Sequence, residues 1–206
     1  MFYRFIKRVF DFTSALLLFI VISPLFLSLM ICAFLSIGRP IFFRQERSGL
    51  HGRPFYLIKF RTMTDATDEE GNLLPDYERQ TKFGRFLRDT SLDELPELLN
   101  IIKGDMAVIG PRPLYTRYNQ YYTEYESKRN NVRGGLIPPE SLYHDSFLTW
   151  DKQLKYEADY AENLSCSLDI KILLSVFKTI VLRRKTEYGE YERKPLDVER
   201  ANKTEQ

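Results

Sequence analysis

The sequence predicts an α+β protein in which an N-terminal membrane helix precedes a mainly helical domain with a small β element. Three observations lead to this prediction. Residues 12–37 form one apolar stretch that is long enough to cross a bilayer. Two short apolar and aromatic runs, 41–43 and 55–60, have the composition of strands. Several later stretches repeat apolar residues at helical spacing.

The apolar stretch contains Ser23-Pro24 at its middle and carries Lys and Arg on both flanks. A proline inside a helix removes a backbone hydrogen bond and clashes with the preceding turn. Because cytoplasmic flanks collect basic residues, the charge pattern favours a helix that bends near Pro24 and returns to the cytoplasmic side. An ordinary Pro-kinked spanning helix fits these residues equally well. The stretch is too long for a signal peptide and lacks an A-x-A-like cleavage site.

Composition excludes several kinds of site. A net charge of +2 is too small to predict binding of nucleic acid. The cysteines, Cys32 and Cys166, are far apart in the sequence, which predicts neither a disulfide framework nor a metal site. His51 and His144 are the two histidines, so a zinc site is poorly supported. Any chemistry is therefore expected from carboxylates, lysines and arginines.

Past the anchor, a Gly-containing turn at 48–54 separates the two predicted strands, and an acidic loop follows at 65–77. Helices are predicted at 82–88, 91–102, 114–128, 150–163 and 168–184. The charged residues 186–206 lack apolar periodicity, which is typical of a disordered tail. The predicted domains are 1–38 for the membrane helix, 39–185 for a cytoplasmic and interfacial domain, and 186–206 for the tail.

The helix predicted at 91–102 begins with two acidic residues, Asp93 and Glu94, here called the acidic pair. Ser91 and Glu94 match a capping box, and acidic residues in a first helical turn need no catalytic role. Neighbouring carboxylates on a helix also point about 100° apart. One could then attack an electrophile while the other holds a divalent cation such as Mg²⁺. Both interpretations stay open from these residues alone.

Basic residues on either side of the acidic pair favour a site for a diphosphate. Lys59 lies at the end of a predicted strand, and Arg88 precedes the acidic pair by five residues. Arg112 lies between two prolines, which restrict its backbone. Each of the three is also compatible with a solvated charge or with an exposed ion pair, which contributes little to stability.

Several short motifs follow one another in a fixed order. They are Lys7-Arg8-x-x-Asp11, Ser23-Pro24, Pro40-x-x-x-x-Gln45-x-Arg47-x-Gly49, Lys59-Phe60-Arg61-Thr62-Met63, Ser91-Leu92-Asp93-Glu94-Leu95-Pro96, Lys103-Gly104-Asp105-Met106 and Gly110-Pro111-Arg112-Pro113. In this order and spacing they closely resemble the small monotopic phosphoglycosyl transferases of the bacterial sugar transferase family. The resemblance covers about residues 3–133 and resumes at 156–178.

This resemblance implies a re-entrant helix broken at Ser23-Pro24, amphipathic interface helices, and a position on the cytoplasmic face of the bacterial inner membrane. It implies transfer of a phosphosugar from a nucleotide sugar, usually a UDP-sugar, to polyprenyl phosphate, in contact with membrane lipid. The product would feed downstream glycosyltransferases. Asp93 would be the nucleophile. Mg²⁺ would be required, and we assign Glu94 to it. The remaining assignments, to phosphate oxygens, are Lys59, Arg88 and Arg112.

One segment departs from the family pattern. Where members carry Arg-Pro-Gly-x-Thr-Gly and then Gln-Val, this chain has Arg133-Gly134-Gly135 followed by Leu-Ile-Pro-Pro-Glu-Ser. The difference predicts an unusual donor preference. Two other functions remain open: a non-catalytic membrane adaptor for glycan-assembly enzymes, and a metal-dependent phosphatase that uses an aspartyl intermediate without a lipid acceptor.

Overall fold

A computed structural model describes residues 2–145, 147–181 and 193–204. Over these residues helices combine with short strands, which confirms the predicted α+β class. The helices are α1 Phe2–Ile37, α2 Asp76–Arg79, α3 Lys82–Asp89, α4 Glu97–Lys103, α5 Glu124–Ser127, α6 Trp150–Glu162, α7 Cys166–Val181 and α8 Leu196–Thr204. The strands are β1 Phe42–Ser48, β2 Pro54–Phe60, β3 Ala107–Ile109 and β4 Gly135–Ile137.

Helix α1 is long and apolar enough to cross a membrane, with a mean hydropathy of 2.7 over its most apolar 18 residues. The helix continues through Ser23 and Pro24, although the proline cannot donate a backbone hydrogen bond. The Ser23 hydroxyl donates to the carbonyl of Ile20 and the Ser28 hydroxyl donates to that of Pro24, at 2.8 and 2.9 Å. The break implied at Ser23-Pro24 therefore stays a prediction.

The chain divides into two compact units. The first unit comprises the described residues of Met1–Asp11, Glu46–Phe55 and Gly104–Gln206. The second unit comprises Phe12–Gln45 and Tyr56–Lys103. Each unit has hydrophobic clusters of its own.

The core of the second unit includes one face of α1. Phe26, Leu29 and Ala33 are buried there against Phe60 of β2 and Leu87 of α3. The ring centroids of Phe26 and Phe60 are 5.2 Å apart, within the range of favourable aromatic pairs. A helix with the composition of a membrane span thus contributes directly to a packed protein core.

The core of the first unit surrounds a parallel pair of strands. Ala107 of β3 lies opposite Gly135 of β4, and Ile109 lies opposite Ile137. Only glycine fits at position 135, because a Cβ there would lie 2.1 Å from the backbone nitrogen of Gly110. Ile109 packs with buried residues of α6 and α7. A neighbouring cluster joins Leu114, Tyr118, Trp150, Leu154 and Leu196.

The prediction of one continuous helix over residues 114–128 is wrong. The structure has a 3₁₀ helix at Thr116–Tyr121, an extended residue at Tyr122 and then α5. Thr123 starts α5 with a capping box, since its side chain and that of Glu126 bind each other's backbone nitrogens. This new N-cap interrupts the aromatic periodicity that suggested one continuous helix.

Two other expectations need correction. Ser91 adopts φ of +55° and makes no capping hydrogen bond, so the predicted capping box there is wrong and residues Leu92–Glu94 form a 3₁₀ turn before α4. The predicted disordered tail is wrong at Leu196–Thr204, which form α8 with Leu196 fully buried. Residues 186–192 lie outside the described residues.

Candidate active site

The acidic pair lies on the 3₁₀ turn Leu92–Glu94 of the second unit. Leu92 and Leu95, on either side of the pair, pack against the cluster that contains Phe60. These two leucines fix the turn, and they leave the carboxylates of Asp93 and Glu94 partly exposed. In this segment two core-facing leucines thus flank two outward-facing acids, and the turn is a 3₁₀ turn instead of the predicted α-helix.

Lys59, on β2, connects the acidic pair to α4. Its Nζ lies 2.6 Å from Oε1 of Glu94 and 3.3 Å from Oε1 of Glu97. Glu97 is 4% exposed, so Lys59 supplies the charge that a buried carboxylate requires. Glu97 was missed from the sequence, although its place one helical turn after Glu94 was the available signal.

The cluster perturbs two pKa values. Burial raises the pKa of Asp93, and Glu94 raises it further, while the charges of Lys59 and Arg88 act in the opposite direction. Burial alone would lower the pKa of Lys59, but its hydrogen bond to Glu94 and the charge of Glu97 outweigh burial and raise it. The site therefore holds a firmly charged lysine beside an aspartate that accepts a proton more readily than usual.

Asn100 holds β2 and α4 in register. The backbone nitrogen of Ile58 donates to Asn100 Oδ1 at 3.0 Å, and Asn100 Nδ2 donates to the carbonyl of Tyr56 at 2.8 Å. Its side chain is buried at 1% exposure, as expected for an amide that satisfies backbone groups. Lys59 and Glu97 depend on this register. The signal in the sequence was a lone polar residue within an apolar helical run.

The side chain of Arg88 is anchored to Thr62, two residues after the end of β2. Its Nε donates to Oγ1 of Thr62 at 3.0 Å, and its side chain is otherwise exposed. The approach of α3 to Thr62 requires glycine at position 84, because a Cβ there would lie 2.0 Å from the Thr62 carbonyl oxygen. An exposed guanidinium held at its Nε keeps its other nitrogens available for an anion.

Arg112 belongs to the first unit, where a buried ion pair fixes its backbone. Its nitrogen donates to Glu157 Oε1 at 2.9 Å, and its carbonyl accepts from Arg129 Nη2 at 2.5 Å. Arg129 Nε and Glu157 Oε2 are 2.6 Å apart, with side chains 2% and 0% exposed. The Arg112 side chain itself is exposed.

Four of the five predicted site residues are thus together in the second unit, namely Lys59, Arg88, Asp93 and Glu94. Among the described residues, no group of three or more His, Cys, Asp or Glu side chains is arranged to hold a metal ion. The acidic pair does offer carboxylate oxygens, which are the ligands that Mg²⁺ prefers, and Mg²⁺ commonly binds one or two carboxylates together with substrate phosphates.

Comparisons with known proteins identify the family of the chain. The family model described as "Bacterial sugar transferase" matches residues 2–183. The "Uncharacterized sugar transferase EpsL" of Bacillus subtilis (strain 168) is 46% identical over 177 residues, covering 85% of this chain and 88% of that protein. The "Exopolysaccharide production protein ExoY" of Rhizobium meliloti (strain 1021) is 35% identical over 191 residues, covering 84% and 83%.

A third relative is longer than this chain. The "UDP-glucose:undecaprenyl-phosphate glucose-1-phosphate transferase" of Escherichia coli (strain K12) is 34% identical over 196 residues, which cover 86% of this chain and 41% of that protein. The chain therefore spans about two fifths of the length of that transferase.

Proposed function

Since the chain belongs to the bacterial sugar transferase family, we propose that it transfers a sugar phosphate from a UDP-sugar to polyprenyl phosphate at a membrane. The name of the Escherichia coli relative describes a transfer of this class. The observation that carries the proposal is the acidic pair held against Lys59, with Arg88 anchored nearby. The product would be a lipid-linked sugar that starts a glycan, and downstream glycosyltransferases would extend it.

In the first half-reaction, a carboxylate oxygen of Asp93 attacks the β-phosphorus of the nucleotide sugar. The bond from that phosphorus to the bridging oxygen breaks, and UMP leaves with the bridging oxygen. Carboxylates perform this kind of covalent catalysis in enzymes that form aspartyl phosphates. The raised pKa of Asp93 implies a more basic, and hence more nucleophilic, carboxylate.

In the second half-reaction, a phosphate oxygen of polyprenyl phosphate attacks the same phosphorus. The bond to Asp93 breaks, the carboxylate is regenerated, and polyprenyl diphosphate sugar leaves. Splitting the transfer in this way lets a water-soluble donor and a lipid acceptor use one site in turn.

The basic side chains have separate roles in this scheme. Lys59 balances the charges of Glu94 and Glu97, so an anionic donor approaches a less negative site. Arg88 presents an exposed guanidinium, which binds phosphate oxygens well because of its several fixed donors. Arg112, whose backbone is held by Arg129 and Glu157, keeps its assignment to phosphate oxygens.

The residues present fit a magnesium ion. Glu94, with Asp93 beside it, offers oxygen ligands, and the donor phosphates would complete a coordination shell of the usual kind. When bound, the ion would neutralise charge that develops on the diphosphate. Removal of divalent cations with EDTA should then abolish UMP release, and Mg²⁺ should restore it.

Within this proposal, residues 1–38 form a re-entrant helix at the cytoplasmic face of the inner membrane, and residues 39–185 form the catalytic domain. The basic flanks on both sides of the helix support this topology. The test uses Tyr3→Cys and Arg44→Cys in a chain whose two native cysteines are replaced by serine. Both positions should react with an impermeant thiol reagent from the cytoplasmic side only. Reaction from opposite sides would establish a spanning helix.

Replacement of the attacking oxygen tests the activity. Asp93→Asn should lower UMP release from UDP-sugars by several orders of magnitude, since the nucleophile is lost. Asp89→Asn is the matched control, because Asp89 is an exposed carboxylate at the end of α3. Full UMP release by Asp93→Asn would refute the mechanism, whereas glycan assembly that persists in cells carrying Asp93→Asn would favour an adaptor. Release of free sugar phosphate without polyprenyl phosphate would indicate a phosphatase.

A further inference from the structure

A basic cavity of about 110 Å³ lies in the first unit, and none of its lining residues belongs to the acidic pair. The charged side chains that line it are Arg4, Lys7, Arg8, Asp11 and Arg133. Three of its four cations come from successive turns of one face of α1, and the fourth follows the 3₁₀ helix Lys128–Asn131. A small concave site with this much positive charge is suited to an anion.

Part of this charge is already balanced. Lys7 Nζ lies 2.9 Å from Asp169 Oδ2 and 3.5 Å from Asp11 Oδ1. By contrast, within the part of the chain that the structure describes, neither Arg4 nor Arg133 forms an ion pair with a carboxylate. The cavity therefore keeps two guanidinium charges beyond those that its own acids neutralise.

Arg133 and Arg8 converge on Gly104. Arg133 Nε donates to the Gly104 carbonyl at 2.7 Å. A Cβ on Gly104 would lie 3.0 Å from Arg8 Nη2, so that guanidinium also touches the glycine. Like charges this close repel each other, although Asp105 attracts Arg8. A bound anion would relieve the repulsion.

The surroundings of the basic cavity indicate which anion it takes. On α1, Phe2, Phe5 and Val9 are at least half exposed, and on α7 a stripe at helical spacing, Ile170, Leu174, Phe177 and Val181, is also exposed. The two helices are joined by Asp169, which accepts a hydrogen bond from Tyr3 at 2.7 Å. Exposed apolar stripes beside basic side chains are typical of helices that lie at a membrane surface with anionic lipids.

We propose that the basic cavity binds the phosphate of an anionic phospholipid headgroup. The apolar stripes of α1 and α7 would enter the acyl region, and Arg4, Arg8 and Arg133 would hold the headgroup. The inference rests on the membrane association proposed above but uses none of the residues assigned to sugar-phosphate transfer. Lipid binding and UMP release can therefore fail separately.

The test uses the full chain reconstituted in nanodiscs with equal amounts of phosphatidylcholine and phosphatidylglycerol. After detergent extraction, mass spectrometry measures the ratio of the two lipids that remain on the protein. The native chain should retain more phosphatidylglycerol than phosphatidylcholine. Arg4→Gln and Arg133→Gln should each reduce this preference about fivefold, as expected for one basic residue at a lipid surface.

Arg53→Gln is the matched control, because Arg53 is an exposed arginine of the same unit outside the basic cavity. Arg133→Lys, which keeps the charge but loses the fixed bond to Gly104, separates charge from folding and should retain most of the preference. Equal retention of both lipids by the native chain would overturn the proposal, as would an unchanged preference in Arg4→Gln. Displacement of the lipid by millimolar inorganic phosphate would assign the cavity to free phosphate instead.

Discussion

Glu157→Gln should destabilise the first unit strongly while changing almost nothing in side-chain shape. Glu157 accepts from Arg129 through one oxygen and from the backbone of Arg112 through the other. A glutamine that keeps the bond to Arg112 turns its amide hydrogens toward the Arg129 guanidinium, so two donors face each other. The buried charge of Arg129 is then uncompensated.

The size of the effect follows from burial. Since both side chains are at most 2% exposed, removal of one partner should cost about 3–5 kcal/mol of unfolding free energy. For a chain of this length that corresponds to a fall in Tm of about 6–20 °C. The neighbouring Glu140 reduces the loss, because its pKa, raised to about 8 by burial and by the charge of Glu157, falls once Glu157 is neutral. The ionised Glu140 would then partly balance Arg129.

Thermal unfolding in detergent, followed by tryptophan fluorescence, measures this effect. Trp150 is the single tryptophan and is buried in the first unit, so its emission reports on that unit. Glu162→Gln is the matched control on the same helix, since it breaks an exposed pair with Lys128 that should contribute less than about 1 kcal/mol. The double variant Glu140→Gln/Glu157→Gln should be less stable than Glu157→Gln. Equal losses for Glu157→Gln and Glu162→Gln would refute the reasoning.

Three further predictions concern other parts of the chain. The pKa of Glu140 is raised from 4.5 to about 8 in the folded state. The stability that its protonated form contributes is therefore complete below pH 4.5 and is lost as the pH rises from 4.5 to about 8. Glu140→Gln should flatten the dependence of Tm on pH between these two values. The acid limb of the pH profile of kcat/KM should lie above the ordinary aspartate pKa of 3.8. Lys59 lowers the pKa of Asp93 and Glu94 raises it, so the limb should move to higher pH in Lys59→Met and to lower pH in Glu94→Gln. A limb that does not move in either variant would show that Asp93 does not control it. Gly84→Ala should lower the unfolding free energy by about 1–3 kcal/mol, because the added methyl group overpacks against Thr62. Thr62 also holds Arg88, so the variant should show a higher KM for the donor together with a lower Tm. A normal KM at a lower Tm would show that Arg88 does not bind the donor.

Much of the local structure was predictable because its causes lie close together in the sequence. The apolar run gave α1, the aromatic run gave β2 within one residue, and the inward leucines on either side of the acidic pair gave the side of the turn that is buried. The motif order also led to the correct family.

The parts that could not be predicted depend on distant partners. Asn100 is explained by the backbone of β2, over forty positions away, and Glu157 is explained by Arg129 and the backbone of Arg112. The order of residues 196–204 depends similarly on Glu126, which binds Arg200 at 2.6 Å. No periodicity within a single segment contains these pairings, so they could not be predicted from the sequence.

The N-terminal helix is part of a protein core, since its residues Phe26, Leu29 and Ala33 are buried against Phe60 and Leu87. It therefore cannot be removed without loss of that core. Removal of residues 1–37 would expose the apolar side chains of Phe60 and Leu87 to solvent, and the truncated protein should aggregate. A water-soluble form is better sought by replacing outward-facing anchor positions such as Leu17 and Val21, which are 59% and 76% exposed, with polar residues.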